Sequence, residues 1–148
     1  MVIRRSTPAD IPDLMALERQ APAAAHWSRE QYQNIFAADA PSRVLLILEE
    51  DTGIQGFIVG RALDKEWEIE NVVVSESVRR RGFGSRLLQE FLGLARDRGG
   101  EKIFLEVRES NLAARRLYEK SGFSESGRRQ SYYQQPQEDA IVYHLGLT

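Results

Sequence analysis

The stretch "SVRRRGFGSRLLQEF", residues 77–91, stands where an apolar run gives way to a helical pattern, and its reading decides the fold. Three arginines, Arg79, Arg80 and Arg81, precede Gly82-Phe83-Gly84, after which Leu87, Leu88, Phe91, Leu92 and Ala95 recur on one helical face. A strand that feeds a glycine-containing turn and then a helix describes an anion site. Backbone N–H groups are unpaired at a helix start, the helix dipole is positive there, and glycine lets the main chain approach a ligand closely. The arginines add charge at the same place, which suits a pyrophosphate. Taken alone, the more frequent meaning of Gly-x-Gly is a plain turn with solvated arginines. A Walker loop is excluded because no Lys-Ser or Lys-Thr follows, and the dinucleotide fingerprint because Leu87 stands at its third glycine position.

The rest of the composition makes the basic run a local feature. Twenty Lys and Arg face 22 Asp and Glu in 148 residues, for a net charge of −2, so nothing global draws the chain to nucleic acid or an anionic membrane. There is no cysteine, which removes disulfides, thiolate metal sites and a cysteinyl acyl-enzyme. The two histidines, His26 and His144, are far apart in sequence and suggest no zinc site. No apolar run reaches the roughly 18 residues of a membrane span, and "MVIRRSTPAD" has no signal-peptide core. The expectation is one cytoplasmic domain over 1–148, without metal, membrane or nucleic-acid partner, working as a monomer or weak dimer.

Outward from the arginines the chain alternates cleanly. "MVIRRS" leans to strand; Thr7, Pro8 and Asp10 form a helix-start signature, and Ser28 with Gln31 forms a second. "RVLLILEE", a turn at Asp51-Thr52-Gly53 and "IQGFIVGRALD" read as a hairpin, and "EWEIENVVV" as a third strand. The helix after the arginines ends at Gly99-Gly100. "KIFLEVR" then sets Ile103, Leu105 and Val107 on one strand face and Glu106 on the other. A short helix capped by Ser110 and closed by Gly122 follows, then a polar loop from Arg128 to Gln137, then a strand in "DAIVYHLGL". This order predicts an α/β fold, a mixed and mostly antiparallel sheet flanked by helices.

"RRRGFG" resembles the R/Q-x-x-G-x-G/A element of the Gcn5-related N-acetyltransferases, whose fold has the same order of elements. "LEVRESNLAARRLYEKSGF" further resembles the branch that acetylates the N-terminal alanine of ribosomal proteins, and with "IENVVV" and "YYQQPQEDAIVYHL" the likeness covers most of the chain. The resemblance implies acetyl-CoA as cosubstrate. Its pyrophosphate would lie on the backbone from Arg79 through Arg80, Arg81, Gly82 and Phe83 to Gly84 and Ser85, with the Arg79 side chain contributing. Its pantetheine would pair with the edge of Val72, Val73 and Val74, in a gap between that strand and the next. Asn111 matches a residue that bonds the cofactor, though an asparagine there is ordinarily a cap.

The same resemblance makes Glu106 the general base and Tyr118 the general acid toward the CoA sulfur. Read from position alone, Glu106 is a strand glutamate paired with a neighbour such as Arg108, and Tyr118 a core aromatic. The absence of cysteine favours direct attack in a ternary complex, with an oxyanion held by N–H groups near Val73 or Val74. An α-amine titrates near about 7.7–8.0 and a lysine near about 10.4, so one carboxylate manages the former more easily. That favours a protein N-terminus as acceptor; by the same resemblance Trp27 and, at the other rim, Tyr132 and Tyr133 bound the acceptor groove, with Glu70 a further substrate contact, while Trp27 reads equally as packing against its own helix. "APAAA" before His26 is bland for a specificity loop. The rivals are a lysine or small-amine acetyltransferase and a non-catalytic acyl-CoA-binding module.

Overall fold

The computed structural model describes residues 1–21, 27–36, 43–78 and 81–147. Strand β1 (Val2–Arg5) leads through a 3-10 turn into α1 (Ile11–Arg19), and α2 (Arg29–Ile35) follows. Both predicted start signals operate: Asp10 accepts the Thr7 N–H at 2.8 Å, and Gln31 and Ser28 exchange bonds at 2.8 and 3.2 Å. Then come β2 (Arg43–Glu50), β3 (Gly53–Leu63), β4 (Glu66–Val74), α3 (Phe83–Asp97), β5 (Lys102–Arg108), α4 (Leu112–Lys120), β6 (Ser124–Tyr133) and β7 (Glu138–Gly146).

Seven strands form one sheet in the order β1-β2-β3-β4-β5-β7-β6. Every pair is antiparallel except β4 with β5, which α3 connects. Two sequence expectations need correction here. The predicted polar loop from Arg128 begins within β6, an edge strand almost wholly exposed, so no apolar alternation announced it. The cap of α4 is Asn111 rather than Ser110: its side-chain oxygen accepts the Ala114 N–H at 3.3 Å.

Each sheet face has its own core. Leu87, Leu88 and Phe91 of α3 pack with Trp67, Ile69 and Leu105 on one face. Leu14, Leu17 and Tyr32 of α1 and α2 pack with Leu45, Phe57 and Val73 on the other. Trp67 and Ile69 thus belong to one core and Val73 to the opposite one, although all share an odd-numbered alternation. A bulge in β4 reverses the faces. Val59 pairs with Asn71 and Gly60 with Ile69, leaving Glu70 as the extra residue. Gly60 opposes it because a Cβ there would meet the Glu68 carbonyl oxygen at 2.3 Å and Phe91 at 2.4 Å. Glu70 faces away from Trp67 and Ile69 by ordinary alternation, and the bulge brings Asn71 to that same side, where its amide meets Glu18 of α1.

Candidate active site

Pairing between the parallel strands stops halfway. The last registered pair is Ile69 with Leu105, so the arms 70–74 of β4 and 106–108 of β5 diverge. A cavity of about 440 Å³ opens between them. Val72, Glu106, Tyr118, Asn111, Trp27, Glu70, Tyr132 and Tyr133, predicted from far-apart stretches, all line it. Val73 and Val74 do not: their side chains belong to the two cores, and β3 pairs with their inner edge. Among the described residues their outer edge has no strand partner, which leaves backbone groups of Val72 to Val74 facing the gap.

The chain enters α3 through Gly82, Phe83 and Gly84. Gly82 caps α3 at φ 78°, a left-handed conformation costly for any residue with a Cβ. Phe83 is buried and anchors the turn in the α3 core, while Gly84 keeps the chain near Leu117, whose Cδ2 would lie 3.3 Å from an added Cβ. Ser85 is half-buried in the first turn of α3. Arg81 is committed elsewhere: its two terminal nitrogens donate to Glu50 at 3.1 and 3.0 Å, and its guanidinium lies 4.6 Å from the Phe83 ring centroid. Arg79 and Arg80, like His26 and the 22–25 part of the alanine-rich stretch, lie outside the described residues.

On β5 the Glu106 side chain is 12% exposed and meets Arg129 of β6 at 3.1 Å, not the neighbouring Arg108. Arg108 turns instead to Glu138 at 3.3 Å and lies 4.4 Å from the Tyr133 ring. Tyr132 and Tyr133 feel Glu106 directly. Its negative charge is the first cause that raises the Tyr132 phenol, which also bonds it, while burial and then Glu106 push Tyr133 up to about 12. Ser131 adopts φ 51° within a break in β6 pairing, and this irregularity carries the tyrosine pair toward the cavity.

Tyr118, on α4, is 6% exposed and packs edge-on to Phe123 with centroids 5.7 Å apart. Burial drives its phenol well above the usual range, with a smaller push from Tyr133, so it holds its proton at neutral pH. The Tyr118 hydroxyl and the Glu106 carboxyl line the same cavity and can serve one proton transfer each.

Side chains that sequence reasoning did not single out, Arg43, Arg61 and Glu68, also line the cavity. Arg43 grips Glu70 with two bonds at 2.9 and 2.8 Å and lies 5.5 Å from the Trp27 ring, and Arg61 holds Glu68 at 2.8 Å. Burial raises the Glu68 carboxyl, the Arg61 bond pulls against that, and Glu70 and Glu106 add repulsion. The alternation Glu66, Glu68, Glu70 in "EWEIE" is a signal for this row; nothing local announces Arg129. Among the described residues no cluster of His, Cys, Asp and Glu is placed to hold a metal ion, and no helix is long and apolar enough to cross a membrane.

A half-paired parallel strand couple, a glycine turn at the following helix and a carboxylate in the gap define an acyl-CoA-dependent N-acyltransferase. The comparisons agree: the chain belongs to the Acetyltransferase (GNAT) family, whose profile matches residues 10–123, and it is an acetyl-CoA-dependent N-acetyltransferase with the GNAT fold. It is 33% identical over 141 residues to the [ribosomal protein bS18]-alanine N-acetyltransferase of Salmonella typhimurium, covering 94% of this chain and 93% of that one. The N-alpha-acetyltransferase RimI of Mycobacterium tuberculosis is 40% identical over 84 residues, 57% of this chain and 51% of that one. The crystal structure of the ribosomal-protein-S18-alanine N-acetyltransferase from Escherichia coli superposes with TM-score 0.87 at 27% identity, covering 99% and 94% of the two chains.

Proposed function

We propose that the protein transfers the acetyl group of acetyl-CoA to the N-terminal α-amine of a protein, a ribosomal protein being the acceptor its relatives suggest. The observation that carries this reading is the position of Glu106: first beyond the last residue of β5 that pairs with β4, and in the same cavity as Tyr118 and Val72.

In this reading the backbone of Val72, Val73 and Val74 bonds the pantetheine, and the turn from Arg79 to Ser85 with the start of α3 receives the pyrophosphate. Asn111 caps α4 through its oxygen and keeps its amide N–H groups for the cofactor. Trp27, Glu70, Tyr132 and Tyr133 bound the acceptor. Glu106, directly or through one water, takes the proton of the α-ammonium, and the freed amine attacks the thioester carbonyl carbon. As the C–N bond forms and the C–S bond breaks, Tyr118 gives its proton to the departing thiolate, and the nitrogen sheds its second proton through water, which leaves a neutral amide and restores the Tyr118 phenol, while backbone N–H groups near Val73 and Val74 hold the oxyanion. No covalent enzyme intermediate and no metal enters. The reading takes the chain as a single cytoplasmic domain, monomeric or weakly dimeric, and the net charge of −2 supports neither nucleic acid nor an anionic membrane as partner.

The test is acetyl incorporation read by mass spectrometry with two peptide pools, one with free α-amines and blocked lysines, the other the reverse. Transfer confined to free α-amines is expected. Transfer only to lysine overturns the acceptor, and acetyl-CoA binding without transfer to either pool or to small amines overturns the enzymatic reading.

A further inference from the structure

Helix α1 turns Ile11 and Leu14 into the core beneath the sheet, and the next position of that stripe, seven after Ile11, is Glu18. A leucine would suit the packing; a carboxylate only 2% exposed stands there instead. Its Oε1 accepts the Trp27 backbone N–H and the Tyr32 hydroxyl, each at 2.8 Å, and its Oε2 accepts the Asn71 side-chain amide. These donors come from the residue preceding the α2 cap, from α2 itself and from the bulged part of β4.

The contacts close on themselves. Glu18 holds Trp27; the Trp27 ring lies 5.6 Å from that of Tyr32 and 5.5 Å from the Arg43 guanidinium. Arg43 holds Glu70 in a two-point grip, Glu70 is joined through the chain to Asn71, and Asn71 returns to Glu18. Trp27, Arg43, Glu70 and Asn71 all line the cavity, whereas Glu18 does not. The cofactor side is held by other means: β3 registers Val72 to Val74 against Ile58, Phe57 and Gly56, and the glycine turn is anchored by Phe83.

We propose that Glu18 is a positioning residue for the acceptor: through this ring of contacts it sets the placement of Trp27 and of the Arg43–Glu70 pair, and thereby the affinity for the amine substrate separately from that for acetyl-CoA. Its chemistry suits three converging donors, because an ionised carboxylate has only acceptors. Glutamine in its place presents an N–H₂ to at least one donor, and an apolar residue leaves all three unpaired.

The inference rests on the proposed acceptor side, and the experiment separates the two. Wild type is first given α-amine peptides, lysine peptides and small amines, and the best acceptor is used throughout. Glu18→Gln and the milder Tyr32→Phe are then compared with wild type at a temperature where thermal melts show all three folded. Glu18→Gln is expected to raise the acceptor KM roughly tenfold, the equivalent of one lost hydrogen bond, and Tyr32→Phe a few-fold. Acetyl-CoA affinity, measured by calorimetry without acceptor, is expected to stay within about twofold of wild type. An unchanged acceptor KM in both folded variants, or a parallel loss of acetyl-CoA affinity, overturns the proposal. Should Glu18→Gln not fold, Tyr32→Phe decides it alone. A wild type that uses only lysine or small amines overturns the α-amine reading while Glu18 is judged on that acceptor; acetyl-CoA binding without transfer to any amine overturns both.

Discussion

The proposed cofactor side and the proposed acceptor side of the site are made in opposite ways. The first is one continuous piece of chain, β4 from Val72 through the glycine turn into α3, and it offers mainly backbone groups. The second is assembled from single side chains of α2's approach, β2, β3, β4, β5 and β6, joined by charge pairs such as Arg43–Glu70, Arg61–Glu68 and Arg129–Glu106. A backbone site needs correct φ and ψ values and tolerates many side chains. A side-chain site needs particular residues and partners. The first therefore suits a cosubstrate common to a family, and the second an acceptor that differs among its members.

The chemistry at the meeting of the two sides gives the largest effect. Glu106→Gln removes the proposed base without changing size, and kcat is expected to fall about 100-fold or more, the usual scale for general acid–base groups. Tyr118→Phe is expected to fall by a similar order. Acetyl-CoA binding measured by calorimetry should change little in either. A Glu106→Gln enzyme with wild-type kcat would show that the acceptor amine arrives already neutral and that the carboxylate has another task.

A smaller pair of effects tests whether the two sides are independent. Alanine at Gly82, which sits at φ 78°, is strained by about 1–2 kcal/mol. Relaxation of that turn should weaken acetyl-CoA several-fold and leave the acceptor KM alone. Arg43→Gln removes the two-point grip on Glu70, whose side chain is only 12% exposed, and should raise the acceptor KM about tenfold while sparing acetyl-CoA. Cross-effects of equal size, read by titrating each substrate at saturation of the other, would break the division.

The division also explains what could be read in advance. The glycine turn, the helix caps at Thr7 and Ser28 and the face of α3 depend on neighbours within a few residues, and all were legible. Tyr118, Tyr132 and Tyr133 were found through family likeness, and the structure brings them to one cavity with Glu106. What failed was non-local. The partner of Glu106 is Arg129, across two strand boundaries, and no spacing rule pairs them. β6 was missed because an exposed edge strand has no hydrophobic period. The β4 bulge hid because burial continues to alternate while the faces exchange, and only Gly60 opposite marks it.

The least effect is expected from pH on the acid side. Burial raises Tyr118 well above the ordinary tyrosine range, so it stays protonated through any working pH, and kcat should show no alkaline limb from this group below about pH 10. A limb near pH 8 that disappears in Tyr118→Phe would mean that the phenol is wetter than its 6% exposure implies. The same shift sets a stability window. Below about pH 10 the tyrosine is protonated both folded and unfolded, and the native state keeps its full advantage. Above that the unfolded chain releases the proton first, so stability falls by about 1.4 kcal/mol per pH unit for each such buried phenol until the folded group titrates as well. Tyr32, whose phenol is raised by burial and by its bond to Glu18, and Tyr133, pushed up to about 12, act in the same direction. Urea unfolding between pH 9 and 11 should therefore show a loss that is shallower in Tyr118→Phe and in Tyr32→Phe than in wild type. Tyr118 lines the cavity, whereas Tyr32 lies in the core beneath α1 and α2. If only Tyr32→Phe flattened the curve, the core beneath α1 and α2 would be the drier of the two, and the acid would have to work in a partly solvated cavity.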